Sequence, residues 1–396
     1  MTLPLDGIRI IDLGQIYAVP YCTMQLAYMG ADVIKVEPPG AGEFLRLPEV
    51  SRGGVGYSFL MLNANKRSVT LNLKHPRGLE IMLRLLEGAD VLAENYLGGV
   101  MESLGLGYEQ IAPRFPRLIY ASGKGYGSGS RWERLPAMDP TVQASSGVIS
   151  VTGFGDRTGV KTPATFIDMG TGSHLTSAIL AALIQRGRTG RGQKVEVAML
   201  DVCVPAMTSL IGWALEGRKF KRLGNRHWGS VPCNVYPTAD DGEVLIYCLT
   251  EAHWRSCAKL MGREDLIADP RYKDPRSRMR IADEVDGLVA GWTRTLTREA
   301  IIEMLIAEGV PSAPVRSIEE LIADPDVASR AMLIGSEFPT RGPIKVLGSP
   351  LKLSEAPCDP DRIRRPPALG EHNAEVFGAL GISSAELGKL KADGVV

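Results

Sequence analysis

The first third of the chain constrains the fold most. Ile8 to Leu13 (IRIIDL) is a short apolar run, Pro20 to Met29 carries apolar residues at helix-compatible spacing, and Ala31 to Val36 (ADVIKV) is a second strand-like run. Strand, helix and strand in so short a stretch make a βαβ unit, whose strands lie parallel with a right-handed crossover. The pattern recurs: Arg77 to Leu86 reads as a helix, Asp90 to Ala93 as a strand, Tyr108 to Ala112 as a short helix and Leu118 to Ser122 as a strand. Such alternation predicts an α/β fold with a Rossmann-like parallel sheet covered by helices. The turn after the first run, GQIYAVP, lacks GxGxxG, so the pattern does not support a bound dinucleotide.

Further along, GSHLTSAILAALIQ (172–185) reads as a buried helix, and RGRTGRGQ turns into the alternating strand KVEVAML. Residues 1–200 are therefore expected to form the first part of a large domain, followed by a linker helix within 201–224, with one long helix from Asp201 to Lys219. The breaker-rich RLGNRHWGSVPCNVYPTADDGE marks a boundary. Residues 225–321 are expected to be a smaller α+β domain, and 322–396 a return linker plus the carboxyl-terminal part of the large domain. A chain of 396 residues is long enough for this arrangement.

Lys plus Arg and Asp plus Glu are both 45, so the chain lacks the overall charge of a dedicated nucleic-acid binder. Six scattered cysteines without a CxxC pair indicate neither a disulfide framework nor a zinc ribbon, and the five histidines show no metal-ligand spacing. No secretory signal pattern opens the chain, and no window approaches about 18 uninterrupted apolar residues. The expectation is a soluble cytoplasmic enzyme with no metal, no tightly bound cofactor, no nucleic acid and no membrane partner.

Asp168, in TFIDMGTGSHLTSAILAAL, is the most informative acidic residue. Two readings of it stand side by side. In one, it accepts backbone N–H bonds at a helix amino terminus and complements the dipole. In the other, it is a nucleophilic carboxylate, with Gly170 and Gly172 admitting a ligand closely and backbone donors keeping it ionised.

Several segments around it carry a family resemblance. PLDGIRIIDLGQIYAVPYCTMQLAYMGADVIKVEPPGAGE, NANKRSVTLNLKHPRG, ADVLAENYLGGVMESLGL, ASGKGYG, MDPTVQASSG, TGRGQKVEVAMLD, GVPSAPVRSIEELIADP and LGEHNAEVFGALG, in that order, resemble the family III (CaiB/BaiF-type) CoA-transferases. That group contains formyl-CoA, carnitine and bile-acid CoA-transferases. The resemblance implies transfer of coenzyme A from an acyl-CoA to a free carboxylic acid through covalent intermediates on Asp168, with CoA and acyl-CoA as substrates. It also implies a homodimer of two interlocked ring-like subunits. An α-methylacyl-CoA racemase or epimerase, and an intramolecular CoA-transferase, are the alternative activities; a heteromeric or non-catalytic subunit is a third.

The resemblance places Tyr17 and Asp139 beside Asp168 at the reacting centre, and Ile16, Ala18, Leu71, Lys74, Asn95, Tyr96, Val100, Leu104 and Met199 at the coenzyme. Read without it, Lys74 is an ordinary solvated lysine, the apolar residues are core, and Asp139 before Pro140 is a turn former. The chain also departs from the family pattern. Tyr17 stands where formyl-CoA transferases carry glutamine, and their glycine-rich loop has no counterpart between Tyr236 and Tyr247. Pro38 and Ser103 stand where better-known members carry arginine, which leaves Arg46, Lys66 and Arg67 as substitute phosphate ligands. Met138 replaces the histidine that the related racemases pair with their aspartate, and a thioether neither donates nor accepts a proton at neutral pH.

Overall fold

The computed structural model describes residues 2–47 and 55–396. They divide into two compact units. One comprises Met1–Val148, Thr162–Glu216 and Pro325–Val396, the other Ile149–Lys161 and Gly217–Asp324.

The larger unit is built on six parallel strands: β1 (Arg9–Asp12), β2 (Asp32–Glu37), β3 (Arg67–Thr70), β4 (Val91–Glu94), β5 (Ile119–Lys124) and β6 (Lys194–Ala198). Their order is β3-β2-β1-β4-β5-β6. Ile10 pairs with Val33 on one side and Val91 on the other. Both faces of this sheet are covered, so the strands read as continuous apolar runs. Ile11, Ile34, Val36, Val69 and Leu92 point into one core with the helix Pro76–Glu87 and Phe377. Their neighbours Ile10, Val33, Val91 and Ala93 point into the other, beneath the first helix (Ala18–Tyr28) and the long helix Phe166–Thr189. This alternation is the two-residue period of a strand.

The long helix is the one helix among the described residues with the length and apolarity to cross a membrane, and 39% of its most apolar window is buried. It packs on the first helix and along β5 and β6, and its Arg186 forms an ion pair with Asp90 at 2.8 Å.

In the smaller unit, Cys233–Pro237, Glu243–Tyr247 and Ser312–Pro314 form an antiparallel sheet. The first two join through a tight turn closed by the Thr238 N–H on the Gly242 carbonyl at 3.0 Å.

Several sequence expectations need correction. The helix expected from Asp201 to Lys219 is two helices, Met199–Ala206 and Thr208–Leu215, with the break at Met207 (φ −105°, ψ 22°), two residues after Pro205. Residues 149–161, expected within the large domain, group with the smaller unit through bonds from Arg222 to the carbonyls of Ser150, Phe154 and Arg157. The smaller unit also runs to Asp324 rather than 321. β3 and the hairpin Leu333–Phe338/Gly342–Leu347 have no counterpart in the sequence reading.

Candidate active site

In an open parallel sheet, ligands collect beyond the carboxyl ends of the strands, where the order of connections reverses. Here that point lies between β1 and β4. The loops leaving the two strands are tied together: the Gln15 N–H donates to Asn95 Oδ1 at 2.7 Å, and Asn95 Nδ2 donates to the Gln15 carbonyl at 2.9 Å. Asn95 thus pairs with a peptide group as a neighbouring strand would.

A cavity of about 230 Å³ opens there, lined by Ile16, Tyr17, Ala18, Asn95, Tyr96, Asp168 and Met199 among others. A second, of about 520 Å³, is lined by Leu71, Lys74, Tyr96, Val100 and Leu104, with Pro38 and Ser103. Tyr96 belongs to both walls. The proposed reacting and coenzyme positions therefore fall around these two adjoining cavities, with Asp139 alone lining neither.

Asp139 instead lies behind Asp168. The backbone N–H groups of Ile167 and Asp168 both donate to Asp139 Oδ2, at 2.9 and 3.2 Å, and Gln143 Nε2 donates to its other oxygen at 2.6 Å. The N-cap Thr165 of the long helix makes no side-chain cap, so a carboxylate from another helix (Asp139–Ser145) satisfies those first-turn donors. This overturns the expectation that backbone donors keep Asp168 ionised. They are spent on Asp139, and the Asp168 carboxyl is pushed up to about 7 by burial first and by the nearby Asp139 charge second.

The glycines after Asp168 also serve differently from expectation. A Cβ on Gly170 would lie 2.7 Å from Val202 Cγ1, and one on Gly172 would lie 2.5 Å from the Ala18 carbonyl oxygen. They admit neighbouring helices rather than a ligand, which brings the start of the first helix against the turn that carries Asp168.

Three further features shape the small cavity. Ile16 has φ +66°, a left-handed backbone that costs a β-branched residue about 1–3 kcal/mol and persists only where neighbours enforce it. Tyr17 donates its hydroxyl to Ser58 Oγ at 3.1 Å. Lys124, in the cavity wall, is held by Glu94 at 2.8 Å and donates to the Tyr96 carbonyl at 2.8 Å. Lys124 lies in ASGKGYG, a motif noted in the sequence, and its approach to Glu94 follows from the pairing of β4 with β5. Glu133 also reaches the wall, from a loop with no periodic signal.

The substitute phosphate ligands do not hold. Arg46 is buried in a two-pronged ion pair with Glu37, at 2.6 and 2.9 Å. Lys66 is fully buried on Asp12 at 2.9 Å, and Arg67 pairs with Asp32 and Glu375. None of the three lines the larger cavity, whose one cationic lining residue is the exposed Lys74.

Comparison with known proteins identifies the family. A sequence profile described as CoA-transferase family III matches residues 5–373. A formyl-CoA:oxalate CoA-transferase of Streptomyces avermitilis is 36% identical over 417 aligned positions, covering 100% of both chains. Another from Rhodopseudomonas palustris is 35% identical, covering 100% of this chain and 97% of its own. Among solved structures, a CAIB/BAIF family protein from Brucella suis superposes with a TM-score of 0.85 at 30% identity, over 96% of this chain and 100% of that one.

Proposed function

Since the chain belongs to CoA-transferase family III, we propose that this enzyme moves coenzyme A between carboxylic acids through covalent intermediates on Asp168. The Asp168 carboxylate attacks the thioester carbonyl, giving a mixed anhydride and CoA thiolate. The thiolate then attacks the aspartyl carbonyl, which frees the donor acid and leaves CoA as an aspartyl thioester. The acceptor carboxylate repeats these steps in reverse. No net redox change occurs, and one thioester replaces another.

The observation that carries this reading is a partly buried carboxyl on the wall of the small cavity, held near 7 rather than near 4. A desolvated carboxylate is a stronger nucleophile than a hydrated one, and proton affinity near the working pH marks functional acids. The adjoining larger cavity, with Lys74 at its edge, has room for the nucleotide end of the coenzyme, where the lysine would pair with a phosphate as a point charge. Asp139 is a positioning residue that fixes the first turn carrying Asp168. Tyr17, braced by Ser58, shapes the acyl end, and the formyl-CoA and oxalate named for the relatives are the first pair to test.

The same reading includes a homodimer and a cytoplasmic setting. All six cysteines are unpaired, as suits a reducing compartment.

The test is intact-mass measurement after incubation with formyl-CoA, oxalyl-CoA and succinyl-CoA in turn, with Asp168→Ala as control. A CoA-sized adduct absent from the variant is expected. Solvent deuterium entering the α-carbon of a branched acyl-CoA without any adduct would replace this reading with the racemase one. Sedimentation at micromolar concentration tests the dimer, and a folded monomer would refute it.

A further inference from the structure

The turn that faces Asp168 is held at every backbone polar group from the Gly14 N–H to the Ile16 N–H. Asp12 accepts the Gly14 N–H at 2.7 Å, Lys35 donates to the Gly14 carbonyl at 2.6 Å, and Asn95 takes both groups of Gln15. The last hold is Glu43, whose Oε2 accepts the Ile16 N–H at 2.9 Å. Ile16 is also the residue in the left-handed region.

Glu43 is 1% exposed, and its other oxygen, Oε1, has no hydrogen-bond partner among the described residues. Burying half a carboxyl unsatisfied is costly, and a surface turn does not require it. Burial raises this carboxyl above its ordinary range, while the Lys35 charge opposes the rise. Glu43 therefore carries a desolvation cost of its own while it holds a strained residue, and that residue lines the small cavity. Backbone strain kept at such cost belongs with function.

We propose that Glu43 is a positioning residue for the transfer reaction: it holds Ile16 left-handed so that Tyr17 and the start of the first helix face the Asp168 carboxyl. The inference rests on the CoA-transferase reading above. Its mechanism is reach rather than charge. The carboxyl must extend far enough to meet the Ile16 N–H, and an amide oxygen at the same reach serves equally.

Two single variants separate reach from charge. Glu43→Gln keeps the acceptor in place and removes the charge. Glu43→Asp keeps the charge and withdraws the acceptor by one methylene. The readout is the rate of CoA-adduct formation at saturating acyl-CoA, using whichever of formyl-CoA, oxalyl-CoA or succinyl-CoA labels the wild type, together with final adduct per total chain. Misplacing a reacting group by about an ångström costs up to about a hundredfold. Glu43→Asp is therefore expected to label roughly tenfold to a hundredfold more slowly but to the same final stoichiometry, and Glu43→Gln to stay within about threefold of wild type. A purely structural role would lower the stoichiometry instead of the rate.

Adding Ile16→Gly to Glu43→Asp, so that the backbone enters the left-handed region without strain, is expected to recover part of the lost rate. The reverse ranking of the two single variants, or wild-type rates in both, would overturn the proposal. Failure of the wild type to form an adduct with any of the three thioesters would instead overturn the CoA-transferase mechanism, so the two failures are distinct.

Discussion

The Asp168 carboxyl offers the most quantitative test, because the same property governs stability and chemistry. Its ordinary value of 3.8 is raised to about 7 in the folded protein. At about 1.4 kcal/mol per tenfold change in proton affinity, this corresponds to roughly 4 kcal/mol. That figure is a ceiling, since the side chain keeps some solvent exposure that screens it. The direction follows from linkage. Between the unfolded and folded values the native state binds more protons than the unfolded state, so the group's contribution is fully present below 3.8 and is lost as pH rises through about 7. Asparagine has no such proton. Relative to Asp168→Asn, the wild type should therefore lose stability as pH rises, by up to roughly 3 kcal/mol between about pH 5 and pH 8.5. In a protein of this size that changes the melting-temperature difference between the two proteins by at most about 4 °C. Thermal unfolding of both proteins across that range measures it. Parallel curves would mean that burial and Asp139 do not raise the Asp168 proton affinity, and the argument for a poised nucleophile would lose its basis.

Further outcomes follow from the same contacts. Asp139→Asn removes the like charge beside Asp168, so the pH at which adduct formation reaches half its maximum should move downward; an unchanged or upward midpoint contradicts the coupling. Asp139→Ala also strips the trans cap from the long helix and should lower stability by about 0.5–2 kcal/mol in denaturant titration. Gly172→Ala drives a methyl toward the Ala18 carbonyl and should cost about 1–3 kcal/mol while slowing adduct formation, as the first helix is displaced from Asp168. Lys66→Met removes the nearest countercharge of the buried Asp12 carboxylate and should cost about 3 kcal/mol, most of it regained in the Asp12→Asn/Lys66→Met pair; the same unfolding titrations decide whether it is.

The parallel α/β character was legible from short apolar runs such as IRIIDL and ADVIKV, because strands buried on both faces need apolar residues at every position. β3 was less legible: RSVT offers one strong apolar residue in four positions, and its pairing with β2 supplies what its composition lacks. The break at Met207 had a local marker in Pro205, two residues before it, whereas the grouping of residues 149–161 with the smaller unit had none, since it depends on Arg222 reaching back some seventy positions.

For the site, the sequence by itself determined which residue types stand in which order: Asp168 near the start of a long apolar helix, glycines two and four residues after it, asparagine and tyrosine after the fourth strand. Tertiary structure decided what those residues experience. Asp139, 29 positions away, takes the helix N–H groups that Asp168 was expected to receive, and those glycines make room for helices rather than ligand. Arg46, Lys66 and Arg67 carry the charge a phosphate needs, yet each is already paired with a carboxylate. Periodicity along a chain fixes which face of an element is buried, because that is a local geometric property. Proton affinity and hydrogen-bond partnership depend on which distant groups arrive within about 4 Å, and only the packed fold sets that.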